Sequence, residues 1–212
     1  MMSIAAGVLN HFFLRLQAMA LLACGRNSAA LAIFDRMLES RPDDGHALAS
    51  RAHVCAQLGS FEAAIETLRK LVALQPNDAV AWFNLAYVLQ QADQDTEAEH
   101  AFRCVLSFNE RMDRAWYGLG ISLMRKQKFD DAVAALRKTT ALQPMSPHGW
   151  FRLAEAHTAL GQADEAAKVL AHLKQFEPRV AAQLAHRVLA VQPEWVRADA
   201  PKVEPVLTHA AH

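Results

Sequence analysis

A spacing of 34 residues recurs through most of this chain. Trp82, Trp116 and Trp150 lie 34 residues apart. Prolines form a second ladder with the same step, in which Glu110 takes the place of one proline: Pro42, Pro76, Pro144 and Pro178. A period of this length predicts a stack of equivalent helical pairs, each packed on the next.

Three more columns at the same spacing predict how these helices pack. Two columns contain small residues: Ala18, Ala52, Ala86, Gly120 and Ala154 in the first, and Ala30, Ala64, Ala98, Ala132 and Ala166 in the second. A third contains bulky apolar residues: Phe34, Leu68, Phe102, Leu136 and Leu170. Small residues let two helix backbones approach closely, and bulky residues fill the space beside them. We therefore predict one packing arrangement shared by five units.

The pattern within one unit resembles the tetratricopeptide repeat, whose 34-residue unit is a helix, a turn and an antiparallel helix. It is carried by Trp116, Leu119, Gly120, Phe129, Ala132, Leu136 and Pro144. The resemblance covers about residues 11–180 and implies an all-α, right-handed superhelical solenoid of five helix pairs. The predicted pairs are 11–44, 45–78, 79–112, 113–146 and 147–180. Because such arrays serve many partners, the resemblance is specific for the fold and says little about function.

Turns and helix starts are predicted from local chemistry. A turn is expected within each unit, at Gly25, Gly59, Asp93, Gln127 and Gly161, where glycine supplies a left-handed backbone and Asp tolerates it. Gln127 is the poorest match. Asp44, Asp78 and Ser146 suit the position before a helix, and Pro147 suits the first helical turn.

The two ends of the chain lie outside the five predicted units. Residues 1–10 form an apolar N-terminal cap, which either folds back over the first pair or presents a docking face to a second copy or another protein. Residues 181–191 are expected to form a capping helix. Residues 192–212 contain Pro193, Pro201 and Pro205 without helical periodicity, which predicts a flexible tail.

Charge and cysteine content restrict the classes of partner and the location. Lys and Arg number 22 and Asp and Glu number 22, so no net field favours nucleic acid. The three cysteines, Cys24, Cys55 and Cys104, have no metal-binding spacing, which favours reduced thiols in the helical core and a cytoplasmic location. The apolar start of the chain is not expected to be a signal or a membrane span, because Arg15 interrupts it and no Lys or Arg precedes it.

No motif for catalysis, cofactor binding or metal binding is found in the sequence. His46 and His53 share a helix face, but seven residues separate them by about 10.5 Å, which is too far for two bonds to one zinc ion. His157 stands where this repeat often has a core aromatic residue. We expect it to be a satisfied, partly buried histidine.

The resemblance implies a concave groove lined by the first helix of each pair. One column of that helix, at 34-residue spacing, contains Phe83, Tyr117 and Phe151. We predict that these aromatics and their neighbours bind a partner segment, with Asn84 pairing to peptide backbone and arginines attracting carboxylates. The full predicted set is Phe83, Asn84, Tyr87, Arg114, Tyr117, Arg125, Phe151 and Arg152. In the alternative, curvature packs the aromatics on each other or under the C-terminal segment.

The sequence therefore predicts a non-catalytic adaptor that binds a protein or peptide segment in its groove. One alternative is a chaperone for an assembled or secreted subunit. A second alternative is a structural subunit, in which the apolar N-terminal helix holds a homodimer or a larger complex.

Overall fold

The structure is a computed structural model that describes the backbone of residues 2–191 and the side chains of residues 9–185. Within this range the chain forms eleven α-helices and no strand, which confirms the all-α prediction. The helices are α1 (Met2–Ala23), α2 (Asn27–Ser40), α3 (Gly45–Gln57), α4 (Phe61–Leu74), α5 (Ala79–Gln91), α6 (Asp95–Phe108), α7 (Asp113–Arg125), α8 (Phe129–Leu142), α9 (Pro147–Ala159), α10 (Ala163–Phe176) and α11 (Pro178–Val191).

The described chain divides into two compact units. The first ends at Pro144 and contains the helix pairs α1–α2, α3–α4, α5–α6 and α7–α8, each packed on the following pair. The second begins at Met145 and contains the pair α9–α10, with α11 packed against both helices. The helix α11 thus begins three residues earlier than the sequence predicted for the capping helix. The predicted tail, 192–212, and Trp195 within it lie outside the described residues.

The ladders of small residues form the contacts between helices. All alanines of both columns are at most 1% exposed, in both units. Gly120 is also buried, and a Cβ placed there would lie 2.7 Å from Cγ of Leu136. The bulky column is buried at its first four positions, but Leu170 is only half-buried. Leu170 is in the last pair, which a single helix follows.

The predicted turns all adopt the left-handed backbone conformation. The φ angles are 69°, 76° and 71° at Gly25, Gly59 and Gly161, and 56° and 58° at Asp93 and Gln127. Because an L side chain is strained at these angles, Asp93 and Gln127 keep a turn geometry that glycine would adopt at lower cost.

The tryptophan column and the proline ladder are connected by a hydrogen bond. Nε1 of Trp82 donates to the carbonyl oxygen of Pro76, and Nε1 of Trp116 donates to that of Glu110, both at 2.8 Å. The acceptor is a backbone carbonyl, so it does not require proline. This explains why Glu110 can replace a proline without breaking the repeat.

Two of the three predicted helix caps are confirmed. Asp44 accepts a hydrogen bond from the backbone of Ala47 at 3.0 Å, and Asp78 accepts one from Val80 at 2.8 Å. The prediction for Ser146 is wrong, because its side chain makes no cap hydrogen bond. There the first turn of α9 begins with Pro147, which has no N–H group to satisfy.

The N-terminal segment is part of a helix. The backbone is helical from Met2 to Ala23 without interruption, so residues 2–10 extend α1 and do not fold back over the first pair. The prediction of three core cysteines is correct only for Cys55, because Cys24 is exposed and Cys104 is partly exposed. All three are free thiols.

Candidate partner-binding surface

Helix α5 presents Phe83, Asn84 and Tyr87 on adjacent positions of its surface. Residues four apart lie on the same side of an α-helix, so Phe83 and Tyr87 are neighbours, with Asn84 beside them. Tyr87 is 48% exposed, whereas Phe83 and Asn84 are half-buried. This helix therefore offers one prominent aromatic ring and one partly covered ring.

The ring of Phe83 is fixed from two sides. Its edge meets the ring of Phe102 in the core, with centroids 6.1 Å apart and planes at 64°. The guanidinium carbon of Arg114 lies 5.1 Å from the centroid of Phe83. Stacking of a cation on an aromatic face is favourable. Phe83 thus connects the core to a surface cation on the next first helix, α7.

Arg114 is exposed although its guanidinium stacks on an aromatic ring. Among the described residues, no carboxylate lies within ion-pair distance of this arginine. Tyr117, one turn farther along α7, is half-buried. A stacked guanidinium keeps its hydrogen-bond donors, which point along the ring plane and remain able to bind a carboxylate.

Arg125 is engaged by the preceding helix pair. Its Nη1 donates to the backbone oxygen of Gln90 at 2.9 Å and to Oδ1 of Asp93 at 3.1 Å, and lies 3.6 Å from Oδ1 of Asp95. Two aspartates already compensate its charge. Arg125 therefore fastens the end of α7 to the turn between α5 and α6.

Gln90 adds a buried polar contact beneath this ion pair. It is 6% exposed, and its Nε2 donates to the carbonyl oxygen of Gly118 and to Oγ of Ser122, both at 2.8 Å. A buried amide needs such partners, because an unsatisfied donor in the core is costly. The surface residues of α7 are thus held in register with α5 by hydrogen bonds as well as by apolar packing.

Phe151 and Arg152 belong to the second unit, on α9. Both are half-buried. Nη1 of Arg152 donates to Oε2 of Glu155 at 2.7 Å, and its guanidinium carbon lies 5.9 Å from the centroid of Phe151. An arginine and an aromatic residue therefore lie close together in this unit too, but here the cation has a carboxylate partner.

A cluster of charges around Glu99 was missed by the sequence analysis. Glu99 is 9% exposed and contacts Lys126 at 2.9 Å, Arg103 at 3.1 Å and Lys128 at 3.3 Å. Burial would raise the pKa of the Glu99 carboxyl, but the hydrogen bonds from these three cations outweigh it and lower the pKa to about 2. A signal was present in the repeat itself, because the residues 34 positions on either side are apolar and buried, namely Ile65 and Val133.

Two crevices in the first unit occupy equivalent places in consecutive repeats. Their volumes are about 460 and 470 Å³. Seven lining residues of the first return 34 positions later in the second: Asp35, Leu38, Glu39, Leu48, Arg51, Glu66 and Thr67 correspond to Arg69, Val72, Ala73, Trp82, Leu85, His100 and Ala101. The walls are the same, but the first crevice is lined by charges and the second is mainly apolar. The repeat therefore preserves a shape while its chemistry changes.

The histidines considered for metal binding have other contacts. A nitrogen of His46 lies 3.1 Å from Oγ of Ser50, and a nitrogen of His53 lies 3.0 Å from the amide of Gln57. His157 is 2% exposed and lies 2.6 Å from Oε1 of Gln162, which confirms a satisfied buried histidine. Across the described residues, no group of three or more His, Cys, Asp or Glu side chains is arranged to hold a metal ion.

The helices were also compared with the dimensions of a lipid bilayer. None of those described is long and apolar enough to cross a membrane.

Family models for the tetratricopeptide repeat match most of the chain. One matches residues 15–79 and 117–171, and a second matches residues 67–100. No curated protein matches the chain significantly.

Solved structures share the fold at low sequence identity. A crystal structure of MamA is 22% identical with a TM-score of 0.76, covering 81% of this chain and 94% of MamA. YrrB is 18% identical with a TM-score of 0.71, covering 80% of this chain and 88% of YrrB. TTC0263 from Thermus thermophilus is 26% identical with a TM-score of 0.57, covering 84% of this chain and 96% of TTC0263.

Proposed function

From the premise that this chain belongs to the tetratricopeptide repeat family, we propose that it is a non-catalytic adaptor that binds an acidic, partly apolar peptide segment. The binding surface is the α5–α7 patch, which we define as Phe83, Asn84, Tyr87, Arg114 and Tyr117. The observation that carries the proposal is the exposed guanidinium of Arg114 stacked on the ring of Phe83.

The α5–α7 patch combines the groups that recognise a peptide. Tyr87 and Tyr117 offer aromatic surface together with a hydroxyl group, a combination that is enriched at interfaces. Asn84 has both a donor and an acceptor for a peptide backbone. Arg114 supplies a positive charge that no described carboxylate neutralises. Together these groups favour a segment with an apolar side chain next to Asp or Glu.

The patch is also rigid, which reduces the entropic cost of binding. Phe83 is held against Phe102, and α7 is fastened to α5 through Gln90 and Arg125. Arg125 contributes less to the partner's carboxylates than Arg114 does, because Asp93 and Asp95 already face it. YrrB, which has the same fold, is described as having an unusual peptide-binding site.

A selection from random twelve-residue peptides displayed on phage tests this proposal. We expect enriched sequences to pair an aromatic or aliphatic residue with a nearby Asp or Glu. Synthetic copies should lose affinity when that acidic residue is replaced by its amide. Tyr117→Ala should weaken binding about 30-fold, which corresponds to an anchor of about 2 kcal/mol.

The matched control is Phe108→Ala. Phe108 is 46% exposed on the second helix of its pair, outside the patch, and its loss should leave peptide affinity unchanged. Peptides that bind wild type and the Tyr117→Ala and Tyr87→Ala variants equally well would place the binding site elsewhere. No enrichment of any peptide would remove peptide binding by this surface.

A chaperone is a narrower form of the same proposal, in which the bound segment belongs to an unassembled client. It requires that the chain keep an aggregation-prone protein soluble, which light scattering of such a client measures. A cytoplasmic location is a further part of the proposal, supported by the three free thiols.

A further inference from the structure

Helix α1 is apolar on two opposite sides. One side packs into the first pair through Leu14 and Ala18, which are 7% and 0% exposed. The other side carries five large apolar residues between 51% and 58% exposed, which we call the α1 strip: Leu9, Phe12, Phe13, Leu16 and Met19. A group of half-exposed apolar residues on one helix face is unusual for a surface that remains in water.

The α1 strip occupies the face that internal repeats cover with the preceding pair. Phe13 stands in the column of Ala47, Ala81, Ala115 and Gly149. Ala47 is fully buried and belongs to the core cluster formed by α1 and α2, so this column marks the contact with the preceding pair. A phenylalanine is too large for the close backbone approach that alanine allows. Whatever covers α1 therefore packs differently from a sixth repeat.

The spacing of the strip is that of a helix pairing with another helix. Leu9, Phe12, Leu16 and Met19 follow one another at steps of three, four and three residues, which is the heptad seam of a coiled coil. Helix α1 has 22 residues, whereas the other first helices have 13. The additional turns provide the length that a helix-to-helix contact needs.

Charge and area both favour a second copy of this chain as the occupant. The strip contains no charged residue, so it has no charge pattern with which to select a different partner, and it is complementary to itself under two-fold symmetry. Taking about 200 Å² for a fully exposed large side chain, five half-exposed ones present on the order of 500 Å². Two copies would bury on the order of 1,000 Å², which reaches the lower limit for a stable interface.

We propose that two copies of this chain pair through their α1 strips to form a closed, two-fold symmetric dimer. The proposal is independent of peptide binding, because no residue of the α5–α7 patch belongs to the strip. Antiparallel helices are favoured, since their macrodipoles then attract each other. The interface leaves the patch of each copy available.

Sedimentation equilibrium of the full chain tests the dimer, with circular dichroism as the check on folding. Wild type should sediment at twice the mass of one chain. Leu16→Glu, and separately Phe12→Glu, should sediment as monomers with unchanged helical content, because each places two buried carboxylates in the symmetric interface. If one variant loses its helical signal, Met19→Glu near the end of the strip replaces it.

Val80→Glu is the matched control. Val80 occupies the same repeat position as Phe12 and is 58% exposed, but it lies on α5, so this variant should remain a dimer. The proposal is overturned by a monomeric wild type, by a dimer that survives both glutamate substitutions, or by an open series of larger oligomers. Binding of the wild-type chain to neutral phosphatidylcholine vesicles, lost in Leu16→Glu, would assign the strip to a lipid surface and also overturn it.

Discussion

The ring of Phe102 fills the space into which a side chain at Gly118 would project. A Cβ at Gly118 would overlap several ring atoms of Phe102. The position 34 residues earlier pairs differently, with Leu68 in the bulky column and Asn84 on the following helix. The larger residue of the bulky column is thus accompanied by the smallest residue on the facing helix.

This relationship predicts a reversal of sign for one substitution. Gly118→Ala in the wild-type chain should lower the free energy of unfolding by about 1–3 kcal/mol, because the new methyl group overlaps a core ring. In a Phe102→Leu chain the same substitution should raise it by up to about 1 kcal/mol, since alanine favours a helix over glycine. Urea unfolding of the four chains gives the coupling energy. Equal effects in both backgrounds would show that the ring does not require the glycine.

The turn at Gln127 should be improved by glycine. Gln127 has a φ of 58°, at which an L residue is strained by roughly 1 kcal/mol, so Gln127→Gly should raise the unfolding free energy by about 0.5–1 kcal/mol. Gly59→Gln is the reverse control. No atom lies within 4 Å of a Cβ placed at Gly59, so only backbone strain should destabilise that variant. Thermal unfolding measures both, and a stabilised Gly59→Gln chain would contradict the argument.

The repeat made most of the fold predictable from the sequence. Helix packing follows from columns such as Ala86 and Ala98, because one small residue per unit at a fixed position determines how closely the helices approach. Even the departure at Glu110 is accommodated, since Trp116 hydrogen-bonds to a backbone carbonyl there. The positions of the turns were predictable for the same reason.

The contacts of the candidate site were less predictable, because they depend on side-chain conformations. The sequence indicates Arg114 and Arg125 as cations of one helix, but only coordinates show one stacked on Phe83 and the other paired with aspartates. Helix α1 begins nine residues before the first predicted unit, where the ladders contain no information. Glu99 was detectable as the one acidic residue in an otherwise apolar column, but its three cations come from two other parts of the sequence.

The stacked geometry of Arg114 predicts that charge alone is insufficient at the α5–α7 patch. Arg114→Lys keeps the positive charge but loses the planar group that lies over Phe83. Affinity for a selected acidic peptide should fall several-fold, and Arg114→Ala should lower it further and reduce its dependence on salt concentration. Fluorescence anisotropy at low and high salt measures both changes. Wild-type affinity in the lysine variant would mean that stacking is not needed to position the cation.

Acid should destabilise the first unit through Glu99. Its pKa of about 2 in the folded chain lies below the ordinary glutamate value of 4.5, so the unfolded chain binds the proton more tightly. The stabilisation is complete above the unfolded pKa and is lost as the pH falls from about 5 to about 2. It amounts to roughly 1–3 kcal/mol once solvent screening is allowed for. Glu99→Gln should therefore unfold more easily than wild type at pH 7, and the difference should narrow towards pH 2 in urea titrations followed by circular dichroism. Glu66→Gln is the control, because Glu66 pairs with Lys70 while 72% exposed and its loss should change stability little at any pH. A difference between Glu99→Gln and wild type that stays constant with pH would show that the carboxylate charge is not what stabilises this cluster.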